Sequence, residues 1–206
     1  MSDELSDLTG EGYSAADWQT HYDNDDMPWD LGEVAPPFVR LFEEGLLPKG
    51  RMIVPGCGQG HEVAFFAGQG FQVTAVDVAP GAVERLQRNL QTRNLTARVV
   101  HQDFFKLDGA HESSYDVFLE HTFFCAIHPD LRPHYAHMAA RVLKPGGVLA
   151  GLFYETGESG GPPFNTTAED VRRHFKDRFH IHRLEKCDAS AERRQNSLCH
   201  STWQAA

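Results

Sequence analysis

The sequence predicts an α/β protein built on a mostly parallel sheet with helices on both faces. Three observations carry that prediction. Short apolar runs alternate with helix-period segments along most of the chain, the pattern of successive βαβ units. Residues 51–77, RMIVPGCGQGHEVAFFAGQGFQVTAVD, read in one pass as strand, glycine turn, helix, strand and acid, the layout of a nucleotide-binding unit. Four successive strand ends also carry polar groups: Gly56–Gly60, Asp77, Asp103 and Glu120-His121. Ligands of open parallel sheets bind beyond the carboxyl ends of the strands, where the strand order reverses. These four tips are therefore expected to converge on one crevice.

Residues 1–13 carry four acids and two glycines with few apolar anchors and are expected to be mobile. Residues 14–206 are read as one domain. Ala15 to Asp26 suits a short helix in which Trp18 and Tyr22, four residues apart, share a face. Pro28-Trp29-Asp30-Leu31-Gly32 stops it. Residues 15–32 thus gather three large aromatics outside the sheet, which suits either a helix pinned to the core or a lid over a ligand. Pro36-Pro37 opens a second helix that runs to about Glu44.

Met52–Val54 is the first strand, His61–Gly68 the next helix, and Phe71–Val76 the second strand. Pro80–Thr92 is helical, with Val83, Leu86 and Leu90 on one stripe. Strands follow at Ala97–His101 and Tyr115–Leu119. Leu131–Leu143 is a helix, Lys144-Pro145-Gly146-Gly147 a turn, and Val148–Phe153 the fifth strand. Gly157 to Phe164 is a loop dense in turn formers. Thr167 begins a helix with Glu169 and Asp170 in its first turn, where acids complement the helix dipole. Phe179–Leu184 and Ser197–Trp203 close the chain as an antiparallel pair.

The spacing of the glycines bears on the ligand. A dinucleotide fingerprint runs G-x-G-x-x-G, whereas here glycines stand at 56, 58 and 60 with His61 next. The shift argues against a pyrophosphate and for S-adenosylmethionine, which carries no phosphate. Gly56, Cys57, Gly58 and Gly60, with the strand end Asp77-Val78, are the expected cofactor-binding residues of this unit. Asp77 is placed to accept hydrogen bonds from two ribose hydroxyls.

Composition narrows the partners. A formal net charge of −10 repels phosphate backbones and anionic membrane surfaces, so no nucleic-acid or membrane partner is expected. No apolar run reaches membrane-spanning length, and the N-terminus is acidic rather than signal-like. A cytoplasmic monomer acting on a small molecule is the expectation. Cys57, Cys125, Cys187 and Cys199 form no close-spaced pair, which argues against structural zinc and against a disulfide framework. His128, His134 and His137 lack a carboxylate at ligand spacing, so no metal site is expected.

The segments VPGCGQG, AVD, QDFF, EHTFFCAI and GGPPF, with WQTHYDNDDMPWDLG upstream, resemble the thiopurine S-methyltransferase family, most nearly its thiol and halide methyltransferase branch. The resemblance spans roughly residues 16 to 175. It implies a Rossmann-like class I methyltransferase fold with a seven-stranded sheet, and S-adenosyl-L-methionine as methyl donor with S-adenosyl-L-homocysteine as product. It places the cofactor contacts on Trp18, Tyr22, Trp29, Gly56, Asp77, Asp103, Phe104 and His121. Two positions depart from the family: tryptophan is usual where this chain has Tyr22, and tyrosine or arginine where it has His121. Arg132 and the Pro162-Pro163-Phe164 turn also fit the family, so Phe123, Arg132, Pro163 and Phe164 are the expected substrate-binding residues.

The implied reaction moves a methyl group to a small soft nucleophile: a thiol, sulfide, halide or thiopurine sulfur. Such acceptors need orientation and exclusion of water more than a strong base. Phe104, Phe123, Phe124 and Phe164 supply apolar walls, although Phe123 and Phe124 fit ordinary core equally well. His121 is the one candidate for proton chemistry, as a base or as a cofactor contact. Glu120 is expected to point to the other face of its strand. Two other readings stand beside this one: a same-fold enzyme acting on oxygen or nitrogen, and a non-catalytic cofactor-binding protein.

Overall fold

The computed structural model describes residues 14–186 and the strand segments 197–199 and 203–205. The acidic segment 1–13 lies outside the described residues. Five strands make the parallel part of one sheet: β1 (Arg51–Pro55), β2 (Gln72–Asp77), β3 (Arg98–His101), β4 (Tyr115–His121) and β5 (Leu143–Tyr154). Their spatial order is β3-β2-β1-β4-β5, with every neighbouring pair parallel. Two helices precede the sheet, α1 (Ala15–Asp23) and α2 (Pro36–Glu43). The crossovers are α3 (His61–Gly68), α4 (Pro80–Thr92) and α5 (Arg132–Val142), and α6 (Ala168–Phe175) follows β5. The order reverses between β1 and β4, so the crevice of an open α/β sheet belongs at the ends of these two strands.

Successive side chains of a strand alternate between faces, and here both faces are covered. Met52 and Val54 of β1 pack with Phe38 and Leu41 of α2, Val63 and Phe66 of α3 and Leu86 of α4. Ile53, between them, belongs to the opposite core with Phe118 of β4, Tyr135 and Met138 of α5 and Phe175 of α6. Each such fully buried apolar side chain contributes about 1.5–3 kcal/mol. The helix stripe read in α4 is only partly in this core: Leu86 and Leu90 are buried, whereas Val83 is not among the buried residues.

Three expectations are corrected. The sheet contains nine segments rather than seven strands. After α6 come β6 (Phe179–Ile181), β7 (Glu185–Lys186), β8 (Ser197–Cys199) and β9 (Trp203–Ala205). Both β8 and β9 pair antiparallel with β5 on successive stretches, while β6 pairs with β9 and β7 with β8. The first closing strand is interrupted at residues 182–184, and the second is described as the two short segments β8 and β9. Second, Lys144-Pro145-Gly146-Gly147 is no free turn: it is a bulge inside β5, across which the register passes from Tyr115↔Leu143 to Val117↔Val148. Third, α1 ends at Asp23, because Asn24 caps it and Asp25 turns into the left-handed region at φ 54°. Ser14 starts that helix with a capping box to Asp17.

Candidate active site

The turn after β1 and the end of β4 line one open crevice. Gly56 to Glu62 form one wall, His121 and Thr122 another, and Trp29, Asp30, Leu31 and Glu33 reach in from the loop after α1. The turn is tight because its glycines adopt conformations other residues avoid. Gly60, at φ 76°, is the N-cap of α3, and a side chain there would run into Leu86 of α4. At Gly56 a Cβ would stand 3.0 Å from the ring of Phe123. The phenyl ring therefore lies directly on the turn.

Asp77 sits behind this turn. Its Oδ2 accepts from Gly58 N at 3.0 Å and its Oδ1 from Ala79 N at 3.0 Å. Burial pushes its pKa up, against these two donors. Each carboxylate oxygen retains a second lone pair for a ligand hydroxyl.

At the crevice wall His121 Nδ1 stands 2.9 Å from Glu62 Oε1, and the same oxygen accepts from Ala35 N at 3.1 Å. Burial raises the Glu62 pKa, but His121 and the Ala35 amide outweigh it and hold the carboxyl below its ordinary value. Phe38 meets the imidazole edge-on, with ring centroids 5.6 Å apart. Glu120, on the other face of β4, is fully buried. Its Oε1 accepts from Phe123 N and Phe124 N, each at 2.9 Å, and its Oε2 takes the hydroxyl of Tyr135. Burial raises its pKa to about 7 despite those donors. Glu120 thus braces the turn after β4 from below. Thr122 in that turn carries φ 65°.

Residues 15–32 lie along α4. Gln19 Oε1 accepts from Gly81 N at 2.7 Å, and Arg85 Nη2 donates to Tyr22 O at 3.0 Å while pairing with Asp25 at 2.9 Å. Tyr22 is buried against Ala79 and Ala82, with Trp18 and Trp29 packed on that cluster. Trp18 and Trp29 meet edge to face at 5.6 Å. Burial first, and the charge of Asp77 second, push the Tyr22 phenol well up. Asp30 fastens the following loop to the glycine turn: Gln59 Nε2 donates to its Oδ2 at 2.8 Å, and His61 Nε2 lies 2.8 Å from its Oδ1.

The structure brings together only part of the expected set. Trp29, Gly56, Cys57, Gly58, Gly60 and His121 share the crevice, and Asp77 lies one hydrogen bond behind it. Asp103 does not join them: it caps a 3-10 turn through Phe105 N at 2.9 Å. Phe104 is core, 3% exposed and packed on Phe118 and Tyr135. Val78 meets His101, whose Nε2 lies 3.1 Å from its carbonyl. Phe123 packs on Phe104 and Tyr135 as well as on Gly56, so its core and wall readings hold together. Phe124 is core.

Arg132 is buried and faces away from the crevice. Its Nη2 donates to Phe164 O at 3.3 Å, Asn165 O at 3.1 Å and Thr166 Oγ1 at 3.0 Å, and its guanidinium stacks 4.7 Å from the Phe124 ring. It holds the 164–166 segment, which Phe164 N ties to Cys125 O at 2.7 Å. Pro163 is exposed on the outer side of that segment. Glu62, Asp30 and the bracing role of Glu120 were missed by sequence reasoning. The signal for Glu62 was present, an acid in the first turn after a ligand-binding glycine loop, but its partner comes from a different strand.

The donor set suits a cationic ligand. Asp30, Glu33 and Glu62 face the crevice against the imidazoles of His61 and His121, and Trp29 adds an aromatic face. A sulfonium is drawn to aromatic quadrupoles and to carboxylates, and the side-chain-free turn lets a ligand approach the backbone. These residues fit S-adenosylmethionine. Among the described residues no group of His, Cys, Asp and Glu could hold a metal ion.

Comparison with known proteins agrees. The family model described as Thiopurine S-methyltransferase (TPMT) matches residues 13–204. The chain is 35% identical to a probable thiol methyltransferase 2 of Arabidopsis thaliana, over 78% of this chain and 71% of that protein. It is 32% identical to thiocyanate methyltransferase 1 of Brassica oleracea, over 82% of this chain and 76% of that one. Among solved structures, a Burkholderia thailandensis 1,6-didemethyltoxoflavin-N1-methyltransferase with bound S-adenosylhomocysteine superposes with a TM-score of 0.75 at 20% identity, covering 100% of this chain and 91% of that one. The fold, the sulfonium-compatible crevice and the family match lead to one conclusion: the chain belongs to the thiopurine S-methyltransferase family and is an S-adenosylmethionine-dependent methyltransferase.

Proposed function

We propose that the protein methylates the sulfur of a small thiol, at the crevice between the glycine turn and the end of β4. The observation that carries this reading is the placement of His121 and Trp29 on one crevice whose walls hold three carboxylates. When bound, the cofactor supplies an electrophilic methyl group on a sulfonium. Everything else falls to this chain's own residues. The acids and Trp29 favour the cation, Asp77 is available to ribose hydroxyls, and residues 15–32 act as the lid that excludes water. Trp18 and Tyr22 support Trp29 from that lid, and Gly56, Cys57, Gly58 and Gly60 give the backbone surface of the cofactor site. Val78, Asp103 and Phe104 act from behind it, by holding the ends of β2 and β3.

On the acceptor side Phe123 forms the wall nearest the turn. Arg132, Pro163 and Phe164 shape the rim beyond it, with Arg132 acting through the segment it anchors. The relatives named for thiols and thiocyanate support a soft acceptor. A cytoplasmic, monomeric enzyme belongs to the same reading; the thiol of Cys57, outside any disulfide, suits a reducing compartment.

The test is turnover of labelled S-adenosylmethionine against sulfide, an alkyl thiol, an aromatic thiol, a thiopurine, iodide and thiocyanate. Transfer to a thiol is expected. Calorimetric binding of the cofactor without transfer to any of them would replace the enzyme reading with a binding protein. Trp29→Ala should weaken cofactor binding by about 0.5–2 kcal/mol, the worth of a cation–aromatic contact.

A further inference from the structure

Glu62 is a buried acid whose geometry goes beyond its share in the charge that favours the cation. It is 8% exposed, lies in the first turn of α3, and faces the crevice beside His121. One oxygen, Oε1, serves both Ala35 N at 3.1 Å and His121 Nδ1 at 2.9 Å. The backbone bond fixes the carboxylate, and the carboxylate then fixes the ring, with Phe38 edge-on against the imidazole. A histidine held in this way carries its proton on Nδ1 when neutral, which makes Nε2 the basic nitrogen. The other ionisable groups around the pair are Glu120 on the far face of β4, Cys57 and His61 of the turn and α3, and Asp30 and Glu33 across the crevice.

We propose that Glu62 is the positioning residue of a Glu62–His121 pair that takes the proton from a neutral thiol, and that this pair sets a preference for thiols over permanently anionic acceptors. The proposal rests on the thiol-methylation reading above. His121 Nε2 accepts the proton as the S–H bond breaks, and the bonding pair stays on the acceptor sulfur. That pair forms the new S–CH3 bond while the pair of the donor's C–S bond returns to the donor sulfur, leaving a thioether. The imidazolium, stabilised by Glu62, gives its proton to water. A fixed negative charge beside the acceptor opposes thiocyanate or a halide, which have no proton to yield and gain nothing from the base.

The experiment compares the parent chain with Glu62→Gln and Glu62→Asp. It measures methyl transfer to an alkyl thiol and to thiocyanate, and the ¹H–¹⁵N spectrum of the His121 ring in cofactor-free protein. Glu62→Gln is expected to lower kcat/KM for the thiol by at least about tenfold, the lower range of acid–base contributions, while transfer to thiocyanate holds level or rises. The ring should lose its single Nδ1–H tautomer, and Glu62→Asp should restore both signals in part. In a His121→Ala background Glu62→Gln should cause little further loss, since the two act as a unit.

Equal losses on thiol and thiocyanate would assign Glu62 to holding Ala35 alone and overturn the proposal. So would an unchanged tautomer. A parent chain that methylates no thiol, whether or not it methylates thiocyanate, overturns the thiol-methylation reading itself. No variant effect imitates that outcome.

Discussion

Asp30 and His61 join the loop after α1 to the glycine turn, with Oδ1 and Nε2 2.8 Å apart. Asp30 raises the His61 pKa against the opposing effect of burial. A raised histidine stabilises the fold fully below its unfolded value of about 6.5 and loses that contribution as pH climbs through the higher folded value. Asp30→Asn should therefore lower stability by up to about 1 kcal/mol at acidic pH and by less at alkaline pH. Melting temperatures of both proteins across that range check the sign. A gap that widens with pH would contradict the pairing.

Glu120 shifts stability with pH in the same direction, but through burial of its own carboxyl. Its folded pKa of about 7 lies above the unfolded value of about 4.3. Between the two, the folded state keeps a proton that the unfolded state has lost, so stability falls as pH rises through that window. The penalty is complete above about 7 and amounts to roughly 4 kcal/mol. Glu120→Gln should flatten this slope while still accepting from Phe123 N and Phe124 N. Urea midpoints at several pH values decide it, and parallel slopes in parent and variant would rule it out.

Two glycines separate backbone strain from lack of space. Gly60→Ala places a methyl group into Leu86 at φ 76° and should destabilise by about 3 kcal/mol. Gly70 has φ 87° and nothing within 4 Å of its would-be Cβ, so Gly70→Ala should cost only about 1–2 kcal/mol. Denaturant midpoints of the two variants give the comparison. Equal losses would remove the steric argument.

Arg132 makes three hydrogen bonds through one nitrogen to the 164–166 segment. Arg132→Lys keeps a charge but not the planar fork, and should destabilise by about 2 kcal/mol. Limited proteolysis should then cut near Phe164 first, whereas an unchanged cleavage pattern would show that the segment holds itself.

The alternation of apolar runs and helix-period stretches was enough to read the parallel sheet and its crossovers, because both faces of β1 and β4 are buried and those patterns are local. The glycine turn was legible for the same reason. The His121–Glu62 pair was not, since it depends on which side of β4 meets the first turn of α3. Arg132 and Phe104 were placed near the ligand by resemblance, yet their packing with Phe124 and Phe118 is a property of the assembled core. The closing strands were read in outline, but the interruption at residues 182–184 was not, because short segments carry almost no periodic signal.

The pairing of β5 also sets an order of events during synthesis. One edge of β5 meets β4, which has already emerged, but the other waits for residues 197–199 and 203–205. Until then Leu152, Phe153 and Tyr154 present open backbone donors and acceptors beside apolar side chains, the kind of edge that recruits another chain. A nascent chain stopped between α6 and β8 would therefore depend on the ribosome or a chaperone to stay unaggregated. A fusion that delays those last segments should lower the soluble yield without touching the crevice.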